Sequence, residues 1–288
     1  MLTILPSKHE DQDIGYLLAL MILLEFQYLV RSLLIKDKEK SLAVQDVTAI
    51  IFSLIILWEA ITSSLGLLDP MLFPSLGKVI VLFINELPEL VKGLVNSLQL
   101  LSVGYLAALV TAIPLALIIG WRKRLYRAVN PITHVLGPIP PIVYIPYAIA
   151  LLPTFKMSSM FVIFIGVFWP IFVNTLNGVF NIDKRIIDSA KVLNVKEVSM
   201  IFEVILPSSL PSILAGAAIG LNLSFVLLAA AEMIGASSGL GWYIKYFSDF
   251  ADYTRVIVGI LFIGLVVSGI NFGFQKLEKY LLRWRKSF

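Results

Sequence analysis

The strongest constraint on the fold is a series of seven long apolar stretches along the 288-residue chain. They are approximately residues 14–30, 47–68, 94–120, 137–152, 158–180, 213–234 and 254–274. A helix needs about 20 apolar residues to cross the ~30 Å hydrocarbon core of a bilayer. Charged residues are only 15% of the sequence, compared with about 25% in soluble domains. The sequence therefore predicts an all-α membrane protein, a polytopic bundle of about six or seven transmembrane helices.

Two of these stretches are atypical. The first, residues 14–30, carries Glu25 and Gln27, so it either spans the bilayer or lies on its surface. The fourth, residues 137–152, is short and rich in proline, which interrupts helices. Irregular backbone at membrane depth is tolerated only inside the protein or beside a water-filled cavity. We therefore expect the fourth stretch to be broken and to lie within the bundle.

The distribution of lysine and arginine predicts the orientation of the chain. Most of the 23 basic residues fall in one alternating set of loops, around residues 31–40, 122–127, 184–196 and 276–286. Short cytoplasmic loops are enriched in these residues, so this set and the C-terminus are expected in the cytoplasm. The N-terminus is then outside if there are seven spans and cytoplasmic if there are six. The expected location is the plasma or inner membrane.

Several kinds of chemistry are disfavoured by composition. The chain has no cysteine and two histidines, His9 and His134, so no disulfide or histidine-based metal site is expected. An intramembrane protease would need paired aspartates, a serine–histidine dyad or a zinc motif within the spans. The glycine-rich segment 235–241 lacks the Gly-Lys-Ser/Thr ending of a nucleotide-binding loop. We therefore predict that this chain is not an enzyme, holds no cofactor or metal, and binds no nucleic acid.

The loop at residues 181–207 carries the most information. Its apolar residues recur three and four positions apart, which predicts an amphipathic helix, or two short helices joined near Asn194. Pro207 ends the pattern. Helices in bundles are usually joined by about 2–8 residues, so a loop of this length has a further role. It either lies on the lipid surface as an interfacial helix or contacts another protein.

This loop resembles the signature of the inner-membrane permeases of binding-protein-dependent ABC importers. The signature is Glu-Ala-Ala, three residues, Gly, nine residues, Ile, one residue and Leu-Pro. Its spacing is kept here by Asp188, Ser189, Ala190, Asn194, Val204, Leu206 and Pro207. Asparagine tolerates a positive φ better than other non-glycine residues, so a turn is expected at Asn194. The resemblance implies that these residues form a cytoplasmic coupling helix, which docks in a groove of an ATPase.

Further segments are similar to the branch of this family that imports nitrate, sulfonates, taurine and bicarbonate. They are residues 73–78, 96–98, 130–141, 206–216 and 231–243. The resemblance runs from about Trp58 to the C-terminus. It implies transport of a small anion such as nitrate, a sulfonate or bicarbonate. An organic cofactor precursor or another small solute is the alternative, and an ATP-independent transporter or channel is a further one. One departure is the Leu-Leu-Pro-Thr-Phe-Lys sequence at residues 151–156, where the branch has Trp-Phe-Gly.

The resemblance also implies partners and an organisation. The expected partners are cytoplasmic ABC ATPase subunits, a second permease copy in a homodimer, an extracytoplasmic substrate-binding protein and the lipid bilayer. The ATP and Mg²⁺ are expected on the ATPase. The expected organisation is an extra N-terminal segment at residues 1–46, a first core span and outer loop at 47–93, a permease core at 94–280 and a basic cytoplasmic tail at 281–288.

Five polar residues in or near the predicted spans are candidates for the translocation pathway. They are Glu232, Asn174, Asn177, Asn222 and Lys156. An ionisable group within a span is a functional-site hypothesis by default, but a paired glutamate at the membrane interface explains Glu232 equally well. Interhelical hydrogen bonds explain the asparagines equally well. Lys156 is either an anion contact or an ordinary lysine at the outer interface.

Overall fold

The computed structural model describes residues 38–65 and 67–284, together with residues 15, 21, 22, 25, 26, 28 and 29. Within this part the chain forms helices and no strands. In chain order the helices are α1 (Lys38–Glu59), α2 (Leu76–Trp121), α3 (Lys123–Leu136), α4 (Ile145–Leu151), α5 (Phe155–Phe180), α6 (Lys184–Val192), α7 (Glu197–Ser199), α8 (Leu206–Gly235), α9 (Leu240–Asp249) and α10 (Tyr253–Leu281). Wider π-helical turns at Ala60–Ser64 and Met200–Ile205 follow α1 and α7, and a 3₁₀ turn at Pro141–Tyr144 precedes α4.

Five helical segments of the described part are long and apolar enough to cross a bilayer. They are Ser41–Thr62, Leu76–Trp121, Phe155–Phe180, Glu197–Gly235 and Tyr253–Leu281. A sixth span is possible from α3 and the segment Pro141–Leu151, which meet at a bend of 79°. The predicted polytopic helical bundle is therefore confirmed, and so is the break in the proline-rich fourth stretch. Of the first predicted stretch, residues 14–30, ten of the 17 residues lie outside the described part, so its place across or on the bilayer stays a prediction.

Helix α2 is much longer than the apolar pattern predicts. It has 46 residues, or about 69 Å at a rise of 1.5 Å per residue, more than twice the ~30 Å hydrocarbon thickness. The pattern predicts a span only at residues 94–120, whereas the helix begins at Leu76. The added turns bury Val79 and Leu90 but leave Lys78 and Glu89 exposed. An amphipathic helix of this kind is too polar to be recognised as a span.

The described residues form two compact units. The first consists of residues up to Val91 and Tyr243–Phe262, and the second of Lys92–Trp242 and residues from Ile263 onward. In the first unit the guanidinium of Arg255 pairs with Glu86 at 2.9 Å. The predicted division of the chain into an N-terminal segment, a first span with its outer loop, a permease core and a tail, with boundaries at residues 46, 93 and 280, stays a prediction.

The core of the second unit lies where α5 and α8 pack along each other. Close approach of two helices in lipid requires small residues at the contact, and glycines supply them here. A Cβ atom added to Gly178 would lie 2.5 Å from the Cβ of Ser212, and one added to Gly216 would lie 2.8 Å from the Cβ of Asn174. The separation between the two helices is therefore set at these contacts.

Candidate functional site

The loop with the family signature begins with a well-defined helix cap. The carboxylate of Asp183 accepts a hydrogen bond from the backbone N–H of Arg185 at 2.9 Å, which satisfies one of the free donors of the first turn of α6. The guanidinium of Arg185 also donates to this carboxylate at 2.6 Å. These hydrogen bonds hold the pKa of Asp183 below its usual value. The residue is therefore a charged and paired carboxylate at neutral pH.

The end of α6 is equally well defined. The backbone N–H of Asn194 donates to the carbonyl of Lys191 at 2.9 Å, and that of Val195 donates to the carbonyl of Ala190 at 3.2 Å. Together with the φ of 54° at Asn194, these bonds make a Schellman motif. Ala190 and Val195 also belong to one hydrophobic cluster, which is the contact that commonly accompanies this motif. The predicted turn at Asn194 is confirmed.

The two faces of this loop differ sharply in burial. Ala190 is only 6% exposed and packs in a cluster with buried Met200 and Ile205. Val192, Leu193 and Val198 are 86%, 77% and 69% exposed, and we call these three residues the apolar tip. The loop is therefore anchored to the second unit through one face and presents large apolar side chains on the other.

The remaining signature residues lie on the same loop but not on one surface. Asp188 and Ser189 are exposed, whereas Val204, Leu206 and Pro207 are partly buried where the chain enters α8. The exposed ion pair of Asp188 with Lys191, at 4.0 Å, contributes little to stability. The signature thus combines residues that pack inward with residues that face outward.

Glu232 lies near the end of α8 and is 1% exposed. The hydroxyl of Ser97 donates to its Oε1 atom at 2.6 Å, and the backbone N–H of Gly241 donates to its Oε2 atom at 2.7 Å. The backbone N–H of Leu240 donates in turn to the hydroxyl oxygen of Ser97 at 2.9 Å. We call this arrangement the glutamate clamp. It ties α2 and α8 to the N-terminus of α9, where a negative charge is favoured.

Glycines make the glutamate clamp sterically possible. A Cβ atom on Gly239, whose φ is +126°, would overlap the carboxylate of Glu232. A Cβ atom on Gly241 would lie 2.6 Å from the carbonyl oxygen of Ala229. The glycines of segment 235–241 therefore allow the backbone to lie close to a buried carboxylate.

Asn174 and Asn177 line a second feature, a half-open cavity of about 480 Å³ in the second unit. Other lining residues come from the end of α5, the connection to α6, α6 itself, the first turns of α8 and the segment that follows α10. They are Gly178, Asn181, Ile182, Asp183, Ile186, Ser208, Pro211, Ser212 and Trp284. The two predicted pathway asparagines are therefore brought together.

The other candidate pathway residues lie elsewhere. Asn222 is exposed on α8, where its carbonyl oxygen accepts a hydrogen bond from the amide of Asn271 at 2.8 Å. Lys156 is an exposed residue of the first turn of α5. Neither lines the cavity or belongs to the glutamate clamp. Within the part of the chain that the structure describes, no cluster of three or more metal-ligating side chains occurs.

Sequence reasoning missed several residues of these sites. Ser97 is 135 positions from Glu232, and no local pattern links them. The run of glycines that follows Glu232 was the available signal for the glutamate clamp. For the cavity, the signal was the four-residue spacing of Ser208 and Ser212 in α8.

Comparison with known proteins identifies the family. Residues 112–286, more than half of the chain, match the binding-protein-dependent transport system inner membrane component. The chain belongs to this family. It is a permease subunit of the ABC importer class and a multi-pass membrane protein, and membership implies an ATPase and a solute-binding protein as partners.

Several relatives carry names that describe transport. The permease is 30% identical over 239 residues to a protein of Methanocaldococcus jannaschii named as an ABC transporter permease, covering 81% of this chain and 89% of the relative. It is 35% identical over 170 residues to the nitrate import permease NrtB of Leptolyngbya laminosa, covering 59% and 61%. It is 30% identical over 238 residues to a Bacillus subtilis protein named as the aliphatic sulfonates transport permease SsuC, covering 82% and 86%.

A solved structure shares the fold. The permease superimposes on a chain of the MetNI methionine ABC transporter, in an inward-facing conformation, with a TM-score of 0.58 and 19% identity. The match covers 68% of this chain and 98% of that chain. At this identity the likeness concerns the fold alone.

Proposed function

We propose that this permease forms a translocation pathway for a small anion and is coupled to a cytoplasmic ATPase through the loop that contains α6. The observation that carries the coupling proposal is the apolar tip, three large exposed side chains at the end of α6 and on α7, in a loop whose other face is packed against the second unit. ATP hydrolysis and its Mg²⁺ belong to the partner ATPase in this proposal, and this chain contributes no catalytic group. A second, identical copy completes the pathway.

The arrangement of charges around the tip favours a protein partner over a lipid surface. An interfacial helix separates an apolar face from a charged face. In α6 the carboxylate of Asp188 lies four positions before Val192, and residues at this spacing are neighbours on one helix face. A surface that mixes a charge with large apolar side chains suits a protein groove, where both can be matched.

The position of Ala190 decides which residue should be tested. Because Ala190 is buried against the second unit, a large substitution there would disturb the loop itself. Leu193→Arg instead changes an exposed residue of the tip. Lys184→Glu is a matched control, since it alters charge at the other end of α6, about 12 Å away at 1.5 Å per residue.

The experiment is co-purification of the assembled importer in mild detergent. Leu193→Arg should lower the amount of ATPase subunit retained by at least about tenfold, the effect of roughly 1.4 kcal/mol at an interface. Lys184→Glu should retain the ATPase as the wild type does. Retention by Leu193→Arg at the wild-type level would refute the coupling assignment, and so would equal loss in both variants.

The support for an anionic solute is the similarity to permeases named for nitrate and aliphatic sulfonates. Proteoliposomes that hold the assembled importer, supplied with its binding protein, should accumulate nitrate or ethanesulfonate when ATP is added. Accumulation of an organic cofactor precursor in place of both anions would support the alternative solute class. Uptake that needs no ATP would contradict the importer mechanism.

A further inference from the structure

The cavity between α5 and α8 has an unusual lining for a membrane bundle. Asn174 and Asn177 lie three positions apart on one face at the end of α5, and Asn181 is the residue that follows the last turn. Ser208 and Ser212 line the cavity from α8. Two helices that are otherwise strongly apolar therefore turn a row of amides and hydroxyls toward the same space.

Hydrogen bonding between α5 and α8 does not account for these polar groups. The amide of Asn174 donates to the carbonyl of Pro170 in its own helix at 2.8 Å. Asn177 accepts a hydrogen bond from the hydroxyl of Tyr126 at 3.4 Å. Among the described residues, no hydrogen bond between side chains joins the asparagines of α5 to the serines of α8. The explanation by interhelical hydrogen bonds is therefore not supported for this face.

Lipid cannot surround this face. Polar groups are costly to expose to hydrocarbon, so the amide N–H groups of Asn177 and the hydroxyls of Ser208 and Ser212 require water, a solute or another protein on this side. The cavity is half-open and has a volume of about 480 Å³, compared with about 30 Å³ for one water molecule. It is large enough for a small organic solute with its water.

The lining also specifies the kind of solute. The only charged lining residue among those described is Asp183, and Arg185 pairs with it. The interior therefore offers neutral N–H and O–H donors, which hold oxygen acceptors but bind an anion less tightly than a guanidinium does. Ile182, Ile186 and Trp284 supply apolar surface beside these donors.

We infer that this cavity is a solute-binding station of the permease, and that it takes a short aliphatic oxyanion such as an alkanesulfonate in preference to nitrate. The asparagine amides and serine hydroxyls receive the oxygens of the head group, and the apolar side chains contact the alkyl chain. Neutral donors permit the release that transport requires. This inference rests on the proposed function, because it assigns a place in the pathway to the anion.

The absence of cysteine from the chain makes a direct test possible. Single cysteines are introduced at Asn177 and Ser208, and at Thr175 as the control, because Thr175 lies on the same helix with 0% exposure. The assembled importer, in inside-out membrane vesicles without nucleotide, is treated with 2-sulfonatoethyl methanethiosulfonate. This reagent is itself a short alkanesulfonate.

The cavity cysteines should react at least about tenfold faster than the cysteine at Thr175, a difference of roughly 1.4 kcal/mol. Ethanesulfonate should slow their modification more than nitrate does at equal concentration. Failure of both cavity cysteines to react would overturn the inference, since another protein would then fill this space. Reaction without protection by ethanesulfonate, or stronger protection by nitrate, would overturn the assignment of the solute.

A second variant separates this inference from the coupling proposal. Asn177→Leu replaces the amide with an apolar side chain that a membrane helix accepts. It should reduce ethanesulfonate uptake by about tenfold, near the effect of one lost hydrogen bond to a charged group. It should retain the ATPase subunit in co-purification. Unchanged uptake would refute the binding station while leaving the result for Leu193→Arg intact.

Discussion

Replacing Glu232 with alanine should destabilise the second unit strongly, because the glutamate clamp has no spare partner for the groups that would be left behind. The carboxylate accepts the Ser97 hydroxyl at 2.6 Å and the Gly241 N–H at 2.7 Å. Both donors belong to buried residues. Glu232→Ala therefore removes the acceptor of two buried hydrogen bonds and opens a space in the packing.

The expected magnitude follows from these two bonds. A buried donor that loses its acceptor costs about 1–3 kcal/mol, so two such donors should lower the free energy of unfolding by about 2–6 kcal/mol. At about 2–4 °C per kcal/mol for a chain of this size, the Tm should fall by roughly 4–24 °C. Glu232→Gln keeps one carbonyl acceptor and should lose about half as much.

The assay is thermal unfolding of the purified permease in detergent, followed by size-exclusion chromatography of the soluble fraction. Ser224→Ala is the matched control, because Ser224 is also fully buried but bonds only to the Leu221 carbonyl of its own helix, at 2.6 Å. That variant should lose no more than about 1 kcal/mol. If Glu232→Ala unfolds at the same temperature as Ser224→Ala, the assigned bonds do not stabilise the protein.

A double-mutant cycle with Gly239 provides a sharper check. A Cβ atom on Gly239 would overlap the Glu232 carboxylate, so Gly239→Ala should be severe in the wild-type background. In the Glu232→Ala background the overlap is gone, and only the backbone strain of the positive φ remains, about 1–3 kcal/mol. Strictly additive effects would refute the proposed contact, because residues in contact show coupling of about 0.5–3 kcal/mol.

Two further substitutions test other contacts. Gly178→Ala should lower the free energy of unfolding by about 1–3 kcal/mol, because its Cβ atom would lie 2.5 Å from that of Ser212. Gly264→Ala is the control, because a Cβ atom there meets no atom within 4 Å, and it should not destabilise the protein. Equal Tm values for both variants would contradict the close approach. Asn194→Val should destabilise the folded loop by about 1–2 kcal/mol, because valine disfavours the φ of 54° at this position. The valine variant should be cleaved faster by protease, whereas Asn194→Gly should not. Wild-type protease resistance in the valine variant would show that the turn does not require a positive φ.

Much of the fold could be predicted because lipid imposes a simple rule on sequence. Apolar length located the main spans, and the cluster of prolines located the break near Gly137. The extension of α2 toward Leu76 was missed since an amphipathic helix does not meet the criterion of apolar length. The apolar run at residues 79–84 is too short to be recognised as a span on its own.

The sites were predictable to different degrees for a physical reason. The turn at Asn194 depends on a local backbone preference, so the asparagine itself was enough to predict it. The partners of Glu232 depend on helix packing, which brings Ser97 close across 135 positions of sequence. The cavity depended on the rotation of α5 relative to α8. Spacing showed that Asn174 and Asn177 share a face, but not what that face meets.

The glutamate clamp has a consequence for where an anion can bind on this permease. The N-terminus of a helix attracts anions through its free N–H groups and its positive dipole end. At α9 that place is held by the Glu232 carboxylate, which is joined to the same chain and competes at a high effective concentration. An anion from solution can reach the N–H of Gly241 only by displacing it. The chain thus fills the N-terminus of α9 with its own carboxyl group, and this helix end does not retain the ions that the protein is proposed to carry.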